Sequence, residues 1–176
     1  MRRSIPVLMA VAAVVLQHAG SAQACGDKFV LLGRGVKFQR AYAAIYPASI
    51  LIYAQPQRHA AKAIRDPRLQ SDLKQAGHRV SLVDSETALA RALASERVDL
   101  VLTDVADADH TATQSASSPS KPIVLPVMYE PTKEEVKRIE ARYQCRLKSS
   151  DKADRYLVTI DDAMKVRADQ KKKRMS

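Results

Sequence analysis

Two cysteines, no tryptophan, two phenylalanines and five glycines in 176 residues leave few of the usual carriers of chemistry. The chain has no Gly-x-Ser-x-Gly elbow, no His-Glu-x-x-His and no Cys-x-x-Cys. The signatures of α/β-hydrolase, zinc-peptidase and dithiol redox chemistry are therefore missing. Neither cysteine has a histidine beside it, so nothing supports a thiol nucleophile. After the N-terminus no apolar run approaches the ~20 residues of a membrane-spanning helix. No internal repeat is visible.

The N-terminus itself has a clear order. Met1-Arg2-Arg3 precedes an apolar stretch from Ile5 to Leu16, followed by Ala22-Gln23-Ala24. A basic start, a short apolar core and small residues at −3 and −1 predict a secretory signal peptide over 1–24, and a periplasmic or secreted product. Cleavage after Ala24 makes Cys25 the first residue of the exported chain, which raises a lipid anchor as one reading. Ala22-Gln23-Ala24-Cys25 matches the usual lipoprotein pattern poorly. A disulfide between Cys25 and Cys145 in an oxidising compartment is a second reading, and two unrelated thiols a third.

Removal of 1–24 takes away Arg2 and Arg3 and no acid, leaving 27 Lys and Arg against 19 Asp and Glu. Much of the excess sits in 165–176, where Lys165, Arg167, Lys171, Lys172, Lys173 and Arg174 face Asp169 alone. This stretch is predicted to be a basic, disordered tail that could touch a membrane surface peripherally. It has none of the interleaved aromatics of single-strand binders, and no nucleic-acid partner is expected.

Between these ends, short apolar runs alternate with helical patterns. This predicts an α/β domain over 25–164: a single doubly wound, mostly parallel sheet of five to six strands with helices on both faces. A strand–helix unit over 28–47 comes first, with Phe29–Leu32 as the strand and Phe38, Tyr42 and Ile45 at helical spacing before Pro47. Strands follow at 49–54, 79–83, 99–103 and 123–128, the last demoted to a bulge or an edge by Pro126. A short sixth strand is expected over 143–147. Asp66-Pro67, Ser85 and Thr132-Lys133-Glu134-Glu135 announce helix starts. Ala153, Tyr156, Leu157, Ile160, Ala163 and Met164 define a final helix. The polar stretch 105–121 shows no apolar period and reads as a long loop.

From Ser49 onward the order of elements resembles the receiver domain of bacterial response regulators, a flavodoxin-like fold. Ser49–Tyr53 looks like that family's first strand, Val98–Asp104 like the third, and Leu147-Lys148 like the end of the fifth. The resemblance implies that Asp104 stands at the phosphoacceptor position and Lys148 at the position of the family's lysine. The family's pair of Mg²⁺-holding acids is replaced by Ala54-Gln55-Pro56, and its Ser or Thr after the fourth strand by Val127-Met128-Tyr129. Phosphoryl transfer needs a cation to neutralise the moving charge. The resemblance therefore implies a receiver-like domain without receiver chemistry.

Ligands of doubly wound sheets bind beyond the carboxyl ends of the strands. The candidates for a small-anion or envelope-protein site there are Gly33, Arg34, Gly35, Lys37, Gln55, Asp104 and Lys148. Gly33-Arg34-Gly35 lacks the last glycine of the dinucleotide fingerprint, Phe38 standing in its place. Asp104, Asp107, Asp109 and His110 crowd one segment and form a candidate divalent-metal site, although their spacing matches no standard metal loop; the alternative reading is a divalent-metal-binding periplasmic protein or a metal-dependent enzyme built on it. His59 and His78 stand alone. No catalytic residue and no firm cofactor emerge, and the chain reads as an exported binding or partner protein.

Overall fold

The computed structural model describes residues 43–175. The expected signal peptide, Phe29–Leu32, and the site candidates Gly33, Arg34, Gly35 and Lys37 lie outside them. Five strands form one all-parallel sheet: β1 (Ser49–Tyr53), β2 (Arg79–Val83), β3 (Leu100–Asp104), β4 (Ile123–Met128) and β5 (Leu147–Lys148). Their order is β2-β1-β3-β4-β5, that of flavodoxin-like doubly wound folds. Six helices connect them: α1 (Ala61–Ile64), α2 (Pro67–Gln75), α3 (Glu86–Ser95), α4 (Ala108–Ser117), α5 (Lys133–Arg142) and α6 (Ala153–Met175).

A parallel sheet covered on both faces needs strands that are apolar throughout, with successive side chains serving opposite cores. The central strands meet this demand. Ile50, Ile52, Leu100, Leu102, Leu125, Val127 and Leu147 pack with α1, α2 and α6. Leu51, Tyr53, Val101, Val124 and Met128 pack with α3, α4 and α5.

Local signals set the helix ends. Asp66 accepts from Arg68 N ahead of Pro67, Ser85 accepts from Ala88 N, and Thr132 with Glu135 forms a reciprocal capping box. After α2, Gly77 takes a φ of 102°. Its N–H reaches Lys74 O and that of His78 reaches Leu73 O, a Schellman closure.

Four expectations need correction. Residues 105–121 are not a loop: a 3₁₀ turn over Val105–Asp107 leads into α4. The face that α4 buries is Ala108, Thr111 and Ser115, at helical spacing but too small and polar for a hydrophobic pattern to reveal. The basic stretch from Lys165 does not fray, because α6 continues to Met175. The strand expected over 143–147 is reduced to Leu147–Lys148, since Tyr143 caps α5 and donates back to Ile139 O. Ile45 is not on a helix. The N–H groups of Ile45 and Tyr46 both donate to the Asp161 carboxylate, at 3.0 and 3.1 Å, which withdraws them from helical pairing.

Pro126 has a precise place. Ile123 N donates inward to Asp99 O, so by alternation the N–H groups of positions 124, 126 and 128 face the other side. There β5 pairs only with Val127 and Met128. The proline thus omits its donor where β4 has no neighbour among the described residues, which makes that half of β4 an edge of the described sheet.

Arg167 explains why α6 persists. It is buried at 6 % exposure; Nη1 donates to Asp99 O (3.1 Å) and Lys121 O (2.7 Å), and Nη2 to Ser120 O (2.7 Å). The Asp99 carboxylate lies 3.5 Å from Nη2 while accepting Ser49 N. One guanidinium therefore ties the helix to the amino ends of β3 and β4. Among the described residues no helix is long and apolar enough to cross a membrane.

Two stability predictions follow from these anchors. Arg167→Ala strands the Asp99 charge and three carbonyls, and should lower the unfolding free energy by about 3 kcal/mol in urea titrations. His78 is buried, its Nδ1 accepting from Ala48 N at 3.2 Å. Burial pushes its pKa below the ordinary 6.5, against the weaker opposing pull of Asp161. Below 6.5 the unfolded chain then binds the proton more readily, so stability is full above that pH and declines as pH falls through the folded-state pKa. Melting temperature should drop between about pH 7 and about pH 5. His78→Asn, which keeps an acceptor for Ala48, should flatten that slope.

Candidate functional site

The carboxyl edge of the sheet gathers Gln55 after β1, Asp104 ending β3 and Lys148 ending β5. Register aligns Asp104 with Val127 and Val127 with Leu147. Asp104 and the end of β5 are thus two strand spacings apart, about 10 Å.

Asp104 is only 4 % exposed. Its Oδ1 accepts from Ala106 N at 2.8 Å, capping the 3₁₀ turn. Its Oδ2 accepts from Ala60 N at 2.8 Å. Both oxygens are committed to main-chain donors, which satisfies the buried carboxylate. Ala60 can reach it because residues 54–60 fold back over the sheet edge. Arg58 N donates to Gln55 O (3.0 Å) and Ala61 N to Arg58 O (3.2 Å), while the Arg65 guanidinium holds Ala54 O at 3.1 Å.

The same loop delivers Arg58. Its Nε donates to Asp107 Oδ2 at 2.9 Å and its Nη2 to Asp107 Oδ1, a two-pronged pair on a buried carboxylate. The pair raises the Arg58 pKa above its ordinary value, with Asp104 adding to the effect. Tyr53 lies beneath, its hydroxyl accepting from the Gln55 amide. Burial first, and the Asp107 charge second, push its pKa above 10.0. From the same loop, His59 stacks on Tyr129 with ring centroids 5.6 Å apart and planes 25° apart.

The candidate metal set is not brought together. Asp104 is spent on two amides and Asp107 on Arg58. Asp109 accepts from Tyr143 Oη at 2.7 Å and pairs with Arg142 at 3.0 Å. His110 Nε2 lies 2.7 Å from Glu86 and 2.8 Å from the Gln114 amide. The 3₁₀ turn and α4 rotate these side chains towards different neighbours. Among the described residues no cluster of three or more His, Cys, Asp or Glu could hold a metal ion. Tyr143, by contrast, is strongly perturbed: burial, with Asp109 behind it, pushes the phenol up to about 12.

Lys148 is exposed. Only its main chain is engaged, the N–H with Asp151 Oδ2 (2.7 Å) and the carbonyl with the Tyr156 hydroxyl (3.3 Å). Cys145 is buried and disulfide-bonded, while Cys25 lies outside the described residues. Arg58 went unnoticed in the sequence, His59 was read as standing alone, and Tyr129 only as part of the stretch that replaces the family's Ser or Thr. The one available signal was a basic residue in the segment after the first strand, which means little until the loop is known to fold back. No protein-family model, curated protein or solved structure matches the chain.

Asp104→Ala should remove a helix cap and leave Ala60 N buried without an acceptor. The expected loss is about 2–4 kcal/mol of unfolding free energy, read from urea titration. A loss below about 0.5 kcal/mol, as at ordinary surface sites, contradicts the role given to this carboxylate.

Proposed function

We propose that the chain is an exported, non-catalytic partner protein: a receiver-like domain whose strand-end surface docks an envelope protein instead of accepting a phosphoryl group. The observation that carries this reading is the state of Asp104. A phosphoacceptor must present a free carboxylate oxygen to an in-line donor and a cation. Here both oxygens accept main-chain hydrogen bonds and the residue is buried. Arg58 on Asp107 supplies the positive charge that a receiver takes from Mg²⁺, so the edge is neutralised internally.

What faces solvent favours a protein over a small anion. The Arg58 guanidinium is already occupied, whereas exposed His59 stacks on Tyr129, itself 46 % exposed, and Pro56, Gln57 and Lys148 are exposed at the same carboxyl edge of the sheet. A rigid aromatic stack amid polar groups suits a protein interface. Export is supported by the N-terminal sequence pattern. Exposed Lys171 and Lys172 on α6 support a supplementary contact with anionic membrane surface.

The test has two arms. Incubation with a small phosphodonor and Mg²⁺, followed by intact mass, should give no phosphoryl adduct; stoichiometric modification at Asp104 overturns the non-catalytic reading. A photo-crosslinking residue at position 129, introduced in cells, should capture a discrete envelope protein that the same group at exposed Ser71 on α2 does not. Identical adducts from both positions, or none from either, defeat the docking reading.

A further inference from the structure

The unpaired half of β4 is the floor of a groove. It has a volume of about 390 Å³ and lies between the end of α4, the end of α5 and α6. Ile123 and Val124 form its base, Tyr143 and Cys145 one wall, and Ala163 and Val166 another. Ser115 also lines it, and its hydroxyl is buried without a hydrogen-bond partner. The apolar base and walls suit an occupant with apolar side chains.

We propose that the occupant is this chain's own segment Phe29–Leu32, tethered there by a disulfide between Cys25 and Cys145. Cys145 is bonded, not free, and Cys25 is the one other cysteine in the sequence. Phe29-Val30-Leu31-Leu32 begins four residues beyond Cys25, within ~14 Å of chain reach. The return path is short enough. Ile45 and Tyr46 are held by Asp161 on α6, and Asp161 is about 7.5 Å along that helix from groove-lining Val166. Eleven residues, 33–43, are available for the connection, with a reach of ~36 Å.

The tether forms by thiol–disulfide exchange. Cys25 and Cys145 surrender two protons and two electrons to a disulfide oxidant, which is reduced to two thiols. Pro126 removes one donor from this edge, so the segment is held chiefly by its side chains, with Val124 N–H as the polar contact.

Amide hydrogen exchange on the full exported chain tests this, read by NMR in the oxidised form and after phosphine reduction at the same pH. In the oxidised form the amides of 29–32 and of Val124 should be protected, and reduction should accelerate them about tenfold or more while Ile50–Ile52 in β1 stay unchanged. Exchange of 29–32 at the rate of an unstructured peptide in the oxidised form overturns the proposal. Leu31→Asp, with the disulfide intact, separates docking from tethering. It should release Val124 alone among the core strands, and unchanged Val124 protection overturns the docking. Peptide mapping under non-reducing conditions should join Cys25 to Cys145 of one chain. A link between two copies, or a lipidated Cys25, rules the tether out.

Discussion

The Asp104 carboxylate joins three pieces of chain through two main-chain hydrogen bonds. It ends β3, caps the turn into α4 through Ala106, and draws the loop after β1 down onto the sheet through Ala60. A buried carboxylate is tolerated only where donors satisfy it, so its presence dictates the fold of the loop and the loop dictates where Arg58 goes. Arg58 in turn makes Asp107 tolerable at 5 % exposure. The site is a chain of mutual necessities, and each charge in it is consumed by structure. Few ionised groups are left at the buried level of this edge to act on a substrate, which is the physical content of a binding reading over a catalytic one.

The opposite edge of the sheet is organised by the same economy. Asp99 accepts Ser49 N and faces Arg167, and Arg167 takes up carbonyls from the starts of β3 and β4. Asp161 receives the entering chain at Ile45 and Tyr46. Two residues of α6 thus fasten both the arrival of the chain and the amino ends of the central strands. These polar anchors, added to the apolar face of Tyr156, Leu157, Ile160, Ala163 and Met164, make α6 the framework of one core.

The fold was largely legible because the strongest rules were obeyed. Apolar runs of strand length, a proline after Asp66, a serine before Glu86 and a threonine–glutamate box before α5 each acted locally, and local rules survive folding. α4 was missed because its buried face is made of Ala108, Thr111 and Ser115, which carry no hydrophobic signal. The helical course beyond Lys165 was missed because a single buried arginine is indistinguishable in sequence from the exposed Lys165, Lys171 and Lys172 around it. The site was legible only in outline. Gln55, Asp104 and Lys148 could be assigned to strand ends from topology, whereas the diversion of Asp107 to Arg58 and of Asp109 to Tyr143 depends on contacts across 49 and 34 residues. Spacing along a chain cannot report those, and a cluster in sequence became four separate pairs in space.

Pro126 has a consequence for how the molecule keeps company with copies of itself. Along the uncovered half of β4, Val124 offers the only outward amide hydrogen, since the next outward position is the proline. A foreign strand laid there would find carbonyls enough but a single donor, too little to seed a growing ladder. Side chains can be sheltered at this margin, yet fibril-like polymerisation finds no template on it, even when the segment docked there is released.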